Sequence, residues 1–264
     1  MRMRRNAFFR ATLFAAVLLA ALASGARGRL EASAPRPQER TTYKLTGEEG
    51  TLEGVISVEG VVPPRPLISM EADPFCVSQN RGEVRYDDIV VERGRLANAQ
   101  VYVESAALDA YAFEPRPWTP ALGRRKCRTV PHVLGMQAGQ TLVVQNGDRT
   151  AHNFYLQTAV NPTFNKSLLP GGSFEIPFKR PEPPFVVKCN RHPWEHGYVA
   201  VLPHPFFAVT GRNGSFSIEG LPPGDYEVVV WHEKFLEARA KVSVGVRETK
   251  VANFTRKFPG DVLR

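Results

Sequence analysis

The sequence predicts an all-β protein made of sandwiches, and three observations predict it. Apolar residues recur with period two in short runs along most of the chain. Those runs are separated by turn formers, with 22 Pro and 21 Gly in 264 residues. Only Ala106–Ala112 has the composition of a helix, and it is short. With 43% hydrophobic and 23% charged residues the chain suits a packed globular protein, which excludes disorder, collagen and coiled coil.

From the N-terminus, Met1–Arg10 is basic, Ala11–Ala23 is apolar apart from Thr12, and small-x-small patterns follow at Ala21-Leu22-Ala23 and Ser24-Gly25-Ala26. This is the layout of an export leader over residues 1–26. The apolar run falls short of the ~20 residues a membrane span needs. The expected location is periplasmic or secreted, with no membrane span after leader removal. Residues 27–49 form a Pro/Arg-rich linker. The leader also accounts for much of the net charge of +8: without its four Arg the chain carries 30 Lys+Arg against 26 Asp+Glu. That balance excludes a basic nucleic-acid binder.

Residues 50–124 form an N-terminal β region, with strands at Thr51–Glu59 and Gln100–Glu104. Residues 125–204 hold a second block, with strands at Gln140–Asn146, around Phe174–Phe178, at Phe185–Lys188 and at Tyr198–Leu202. Residues 205–258 contain four further short strands, and 259–264 are a tail. In an exported protein, three cysteines leave one unpaired. Cys189 alone has close histidines on both counts, three and seven residues on, so the simplest division is a Cys76–Cys127 disulfide and a free, metal-ligating Cys189.

The chemistry concentrates in two stretches. Asn146-Gly147-Asp148-Arg149-Thr150-Ala151-His152-Asn153 sets a His-Asn pair at a strand end. Cys189-Asn190-Arg191-His192-Pro193-Trp194-Glu195-His196 follows the next block of strands. One thiolate and two imidazoles, His152, Cys189 and His192, are the equatorial donor set of a blue-copper centre. Glu195 lies three residues after His192 as a further possible donor. His196 offers an alternative, a closed tetrahedral site of three histidines and a thiolate suited to zinc. There is no Ser-His-Asp arrangement, phosphate loop or H-E-x-x-H helix, so the chain reads first as an electron carrier or binding protein, with a red-copper-type enzyme as a third reading.

The stretch from about Arg125 to Pro203 resembles the cupredoxins, Greek-key sandwiches, and among them the amicyanin-like branch with its C-x-x-H-P-x-M loop. The resemblance implies copper held by His152, Cys189 and His192. The sequence departs from it with Glu195 in place of the Met, which as a ligand would lower the potential and make the site less blue and otherwise is a solvated loop carboxylate. The resemblance also implies an electron exit near His192, where Trp194 either stands exposed to dock a redox partner such as a periplasmic cytochrome or folds onto the sandwich. The basic neighbourhood of Arg149, Lys166, Lys179, Arg180, Lys188 and Arg191 favours an acidic partner. Asn213-Gly214-Ser215-Phe216 and Leu221-Pro222-Pro223-Gly224-Asp225-Tyr226 resemble the carboxypeptidase-regulatory-like domain, a transthyretin-like sandwich whose opening strand Gly50–Gly60 also resembles. The whole layout is similar to methylamine-utilisation-type periplasmic proteins. The competing expectation is a non-redox β-sandwich binding module with a degenerate or zinc-occupied site.

Overall fold

The computed structural model describes residues 40–263; the expected leader, 1–26, and most of the expected linker, 27–49, lie outside them. The protein is all-β. Among the described residues the one α-helix is Pro74–Gln79, and no helix is long and apolar enough to cross a membrane. The helix expected at Ala106–Ala112 is replaced by a single 3-10 turn, Leu108–Ala110. Leu108 is the only residue of that turn that is buried, and Tyr111–Ala112 then pairs with Thr41–Thr42, which draws the backbone into extended form.

Residues 121–202 fold as a sandwich of two sheets. One has the order Ser173–Pro177, Thr141–Asn146, Ala121–Arg124, Thr129–Val130. The other runs Phe164–Leu168, His152–Leu156, Glu182–Lys188, His196–Leu202, Val133–Gln137. Two pairings are parallel, Thr141–Asn146 with Ala121–Arg124 and His196–Leu202 with Val133–Gln137. The period-two pattern works as it should: Leu142 and Val144 face inward and meet Phe154, Val187 and Val199 in one core.

The strands on either side of this sandwich in sequence pair with each other. Gly50–Glu59 lies between Ser215–Leu221 and the short Arg95–Leu96 strand, with Thr249–Val251 and Phe254–Lys257 running parallel to it. Opposite, Gln100–Glu104 is flanked by Phe207–Val209 and by Gly224–His232, which pairs on with Phe235–Val244. Their core contains Leu52, Ile56, Val101, Val228 and Phe235. The two sandwiches approach closely at Gly135, where a Cβ would lie 2.8 Å from both the Gln100 side chain and the Phe207 ring. Any side chain there would push them apart.

A cap segment leaves Gly50–Glu59 through Pro63-Pro64 and packs over one end of the 121–202 sandwich. Its helix starts at Asp73, whose Oδ1 accepts from the Phe75 N–H at 2.9 Å, and Pro74 occupies the first turn. The Cys76–Cys127 disulfide ties this helix to the sandwich, with Met70 and Trp194 packed around it. The bridge joins residues 51 apart in sequence, and closing a loop of that size in the unfolded chain is worth about 2–4 kcal/mol. Replacing both cysteines with serine should lower unfolding stability by about that amount. Urea unfolding of the metal-free chain is the check; an unchanged midpoint would mean the cap adds nothing.

Candidate metal centre

His152, Cys189, His192 and Glu195 come together at the capped end of the sandwich. One donor atom from each lies within 4.8 Å of the others, and all four residues are buried. His152 opens the His152–Leu156 strand, one turn after Gly147-Asp148. Cys189 follows the Glu182–Lys188 strand. The loop to the next strand closes on itself: the Cys189 N–H donates to the Glu195 carbonyl at 3.1 Å, and the Glu195 N–H to the His192 carbonyl at 2.9 Å. Asn153 explains its place beside the first histidine. Its N–H donates to the Cys189 sulfur at 3.3 Å, and its Oδ1 accepts from the Asn190 N–H at 3.3 Å.

The Nδ1 atoms of His152 and His192 face each other 3.0 Å apart, and Cys189 Sγ lies 3.6 Å from His192 Nδ1. Glu195 Oε2 is 3.0 Å from His152 Nδ1, and Oε1 is 3.5 Å from His192 Nδ1. Each outer ring nitrogen is held by a carboxylate: His152 Nε2 by Asp148 Oδ2 and His192 Nε2 by Asp73 Oδ2, both at 3.0 Å. Such outer contacts aim the inner nitrogens at a common point. Bonds of about 2.0–2.3 Å from a four-coordinate metal leave its ligand atoms roughly 3–4 Å apart. The spacings here fit that requirement, and the donor set of sulfur, two imidazoles and one carboxylate fits copper or zinc.

Glu195 has no exposed side-chain surface, so it needs a fixed positive charge. Arg124, equally buried at the end of the Ala121–Arg124 strand, places Nε 3.2 Å from Glu195 Oε2. The guanidinium lies over the Phe154 ring, 4.8 Å from its centroid, and bonds the Thr129 hydroxyl. Glu195 Oε1 accepts no hydrogen bond, which leaves it as the carboxylate atom open to a metal.

The same contacts organise the protons of the metal-free chain. Burial opposes a charge on His152, but hydrogen bonds to Asp148, Cys189 and Glu195 outweigh it and raise its pKa to about 10. His192 is raised to about 9 against its own burial by Cys189, Glu195 and Asp73. Burial pushes the Cys189 thiol up, yet His152 and His192 bring it down to about 6. Burial likewise opposes ionisation of Glu195, and His152, His192 and Arg124 pull it down to about 2. The metal-free centre therefore sets a thiolate and carboxylates against protonated imidazole. The facing Nδ1 atoms of His152 and His192, 3.0 Å apart, hold one proton between them, so the two rings are not both imidazolium.

His196 is not brought to this centre. Neighbouring residues of an extended strand point to opposite sides, so with Glu195 turned inward His196 turns away, 3.1 Å from Asp88 and 3.4 Å from Glu233. Trp194 is not an exposed docking residue either: it is 7% exposed, and its Nε1 donates to the Cys127 carbonyl at 3.1 Å. Three residues of the centre went unread in the sequence. Asp148 sits four before His152, within the run already singled out. Asp73 could have been read as an N-cap before Pro74, but nothing in its spacing points to His192. Arg124 carries no local signal.

Residues 191–257 match the family model described as carboxypeptidase regulatory-like domain. No curated protein matches the chain. Among solved structures, a purple cupredoxin from Nitrosopumilus maritimus is similar at 24% identity, over 31% of this chain and 98% of that one, with a TM-score of 0.27. Amicyanin from Paracoccus versutus is similar at 19% identity over 38% and 96%, with a TM-score of 0.29. A copper-containing nitrite reductase from Thermus scotoductus is similar at 22% identity over 33% of this chain, with a TM-score of 0.30; the chain spans 23% of that protein's length.

Two predictions follow from the geometry. Truncating Arg124 to Ala leaves the buried Glu195 carboxylate with only the histidines as partners and removes a buried cation, which should cost up to about 3–5 kcal/mol of stability in urea unfolding. For the metal-free chain, the raised pKa values of His152 and His192 contribute stability that is complete below their usual 6.5 and lost as pH rises through 9 to 10. The depressed Glu195 contributes stability that is complete above its usual 4.5 and lost as pH falls toward 2. Other groups act in the opposite sense. Buried His204 and His232, lowered to about 4, contribute stability that is complete above 6.5 and lost as pH falls through 4. Cys189, lowered from 9 to about 6, contributes stability lost as pH falls from 9 through 6. Melting temperature should therefore peak near pH 6.5 and fall toward pH 10, where the raised histidines, His196 among them, outweigh the one thiolate; no fall between pH 7 and 10 would contradict the histidine pairing.

Proposed function

We propose that this is an exported copper-binding protein whose centre holds one ion through His152 Nδ1, His192 Nδ1 and Cys189 Sγ, with Glu195 as the fourth donor. The observation that carries this reading is the convergence of two Nδ1 atoms and a thiolate, each imidazole aimed by a carboxylate on its far side. Bound copper supplies one-electron chemistry. The chain's own residues do the rest. Asp148 and Asp73 orient the rings, the Asn153 N–H steadies the sulfur, and Arg124 compensates the charge of Glu195. Burial of all four donors excludes water and holds the geometry in place. A carboxylate where cupredoxin-like loops have Met is a harder, anionic donor, which favours the oxidised ion and lowers the potential.

Export is supported by the leader pattern and by the Cys76–Cys127 bridge, which suits an oxidising compartment. The whole layout accords with a methylamine-utilisation-type periplasmic protein. An acidic redox partner, such as a periplasmic cytochrome, is supported by a cleft of about 680 Å³ beside the cap helix, edged by Arg81 and Lys126 and by Arg65, Arg85 and Arg128, whose charges Asp87 and Glu83 offset in part. That cleft adjoins the disulfide, and Cys76 Sγ lies 4.0 Å from His192 Nε2. A second reading, a zinc-holding binding module, is favoured by one observation: four donors with no exposed coordination position are the arrangement of a structural zinc site.

Copper titration of the mature chain, read by visible absorption and EPR, separates the two. One equivalent should give a thiolate-to-copper band that is absent in Cys189→Ser, and Glu195→Met should raise the reduction potential. Zinc uptake with no thiolate-linked copper signal would sink the redox reading.

A further inference from the structure

The residues left outside the copper-type centre form a cluster of their own where the two sandwiches meet. His132 stands at the start of Val133–Gln137 and His196 at the start of the paired strand His196–Leu202. Glu233 reaches them from the turn between Gly224–His232 and Phe235–Val244 in the other sandwich, and Asp88 from the cap segment. Donor atoms of His132, His196 and Glu233 all lie within 4.8 Å of one another. Glu233 Oε1 contacts His132 Nε2, while its Oε2 is 3.4 Å from His196 Nε2. Asp88 Oδ1 is 3.1 Å from the same His196 nitrogen, and Asp88 Oδ2 is 3.2 Å from Lys234 Nζ.

Two features of this cluster are not met by hydrogen bonding. Glu233 Oε2 and Asp88 Oδ1 are buried, and neither makes a hydrogen bond, although both crowd one imidazole nitrogen. A single N–H cannot point at two carboxylates, whereas a cation among them can serve both. The Glu233 side chain is only 1% exposed, so water does not supply the missing partner from bulk. A cavity of about 20 Å³ abuts both imidazoles, room for one water-sized ligand beside them.

We propose that His132 Nε2, His196 Nε2, Glu233 and Asp88 form a second metal site, for a divalent ion of the zinc class, that staples the two sandwiches and the cap together. Two neutral imidazoles and two carboxylates balance a doubly charged ion, and two histidines with a carboxylate are a recurrent zinc donor set. The site contains no thiolate, so it differs in chemistry from the centre at Cys189. It does not depend on the copper reading.

Cobalt(II) and zinc(II) titrations of the full chain test it. Wild type should take up one equivalent of cobalt beyond any whose uptake tracks the thiolate charge-transfer band, with d–d absorption that goes on growing after that band has levelled off. Cys189→Ser should retain that equivalent, and Glu233→Gln and His132→Ala should each lose it. Zinc should raise the melting temperature of Cys189→Ser and fail to raise that of a Cys189→Ser, Glu233→Gln double variant. If the unmodified chain binds no cobalt free of thiolate charge transfer, or if Glu233→Gln retains that equivalent, the second site does not exist. Cys189→Ser is the deciding arm, and if it does not fold the cobalt stoichiometry of wild type against its thiolate charge-transfer intensity gives the same count.

Discussion

The buried contact between Arg124 and Glu195 is the interaction on which the candidate centre rests. Neither side chain has exposed surface, so each charge was removed from water in folding and can be compensated only by the other and by its fixed neighbours. Arg124 is immobilised by the Phe154 ring and the Thr129 hydroxyl, and through it Glu195 Oε2 is set in place. With one carboxylate oxygen committed, the other is presented to His192. The backbone of Glu195 also closes the Cys189 loop, so a single residue fixes the loop's shape and its charge. Arg124 ends the strand that pairs with Thr141–Asn146, just before Asp148, so the same pair locks both sheets at the end where the donors gather.

Asp73 links the cap to that arrangement. One of its oxygens caps the Pro74–Gln79 helix; the other accepts from the Thr150 hydroxyl at 2.8 Å and holds His192 Nε2. Folding of the cap and orientation of a ligand ring are thus one event. A consequence is that His192 lies beneath the cap instead of at an open surface, and the face beside the cap helix becomes the place where a partner would come nearest to it.

The all-β class was readable because period-two burial is a property of each strand by itself. The cap helix was not. It has six residues and buries only Cys76, too little for a helical period to emerge. The centre was readable where its donors share a short loop, as Cys189, His192 and Glu195 do, and where His152 ends a patterned strand. Its supporting residues were not, because they act through space: Asp73 lies 119 residues from the ring it orients. His196 is the instructive case. Its spacing from Cys189 suits a ligand, but extended backbone alternates, and a chain that turns Glu195 toward the thiolate must turn the next side chain away. Strand alternation outranks sequence proximity there.

The Cys76–Cys127 bridge has a further effect, on the inventory of sulfur near the centre. Cys76 lies by Asp73 and His192, and Cys127 by Asp148 and His152, each close enough to share a metal with them. Bridged, neither sulfur is a thiolate, and Cys189 is the one soft anionic donor at hand. Reduced, the neighbourhood would offer three thiols, a set that favours monovalent copper and sulfur-rich coordination over the mixed shell described above. Oxidation of this pair therefore does more than fasten the cap: it sets which oxidation state of a metal the pocket would prefer, so for a metal-binding chain the order of bridge closure and loading would decide what the pocket holds.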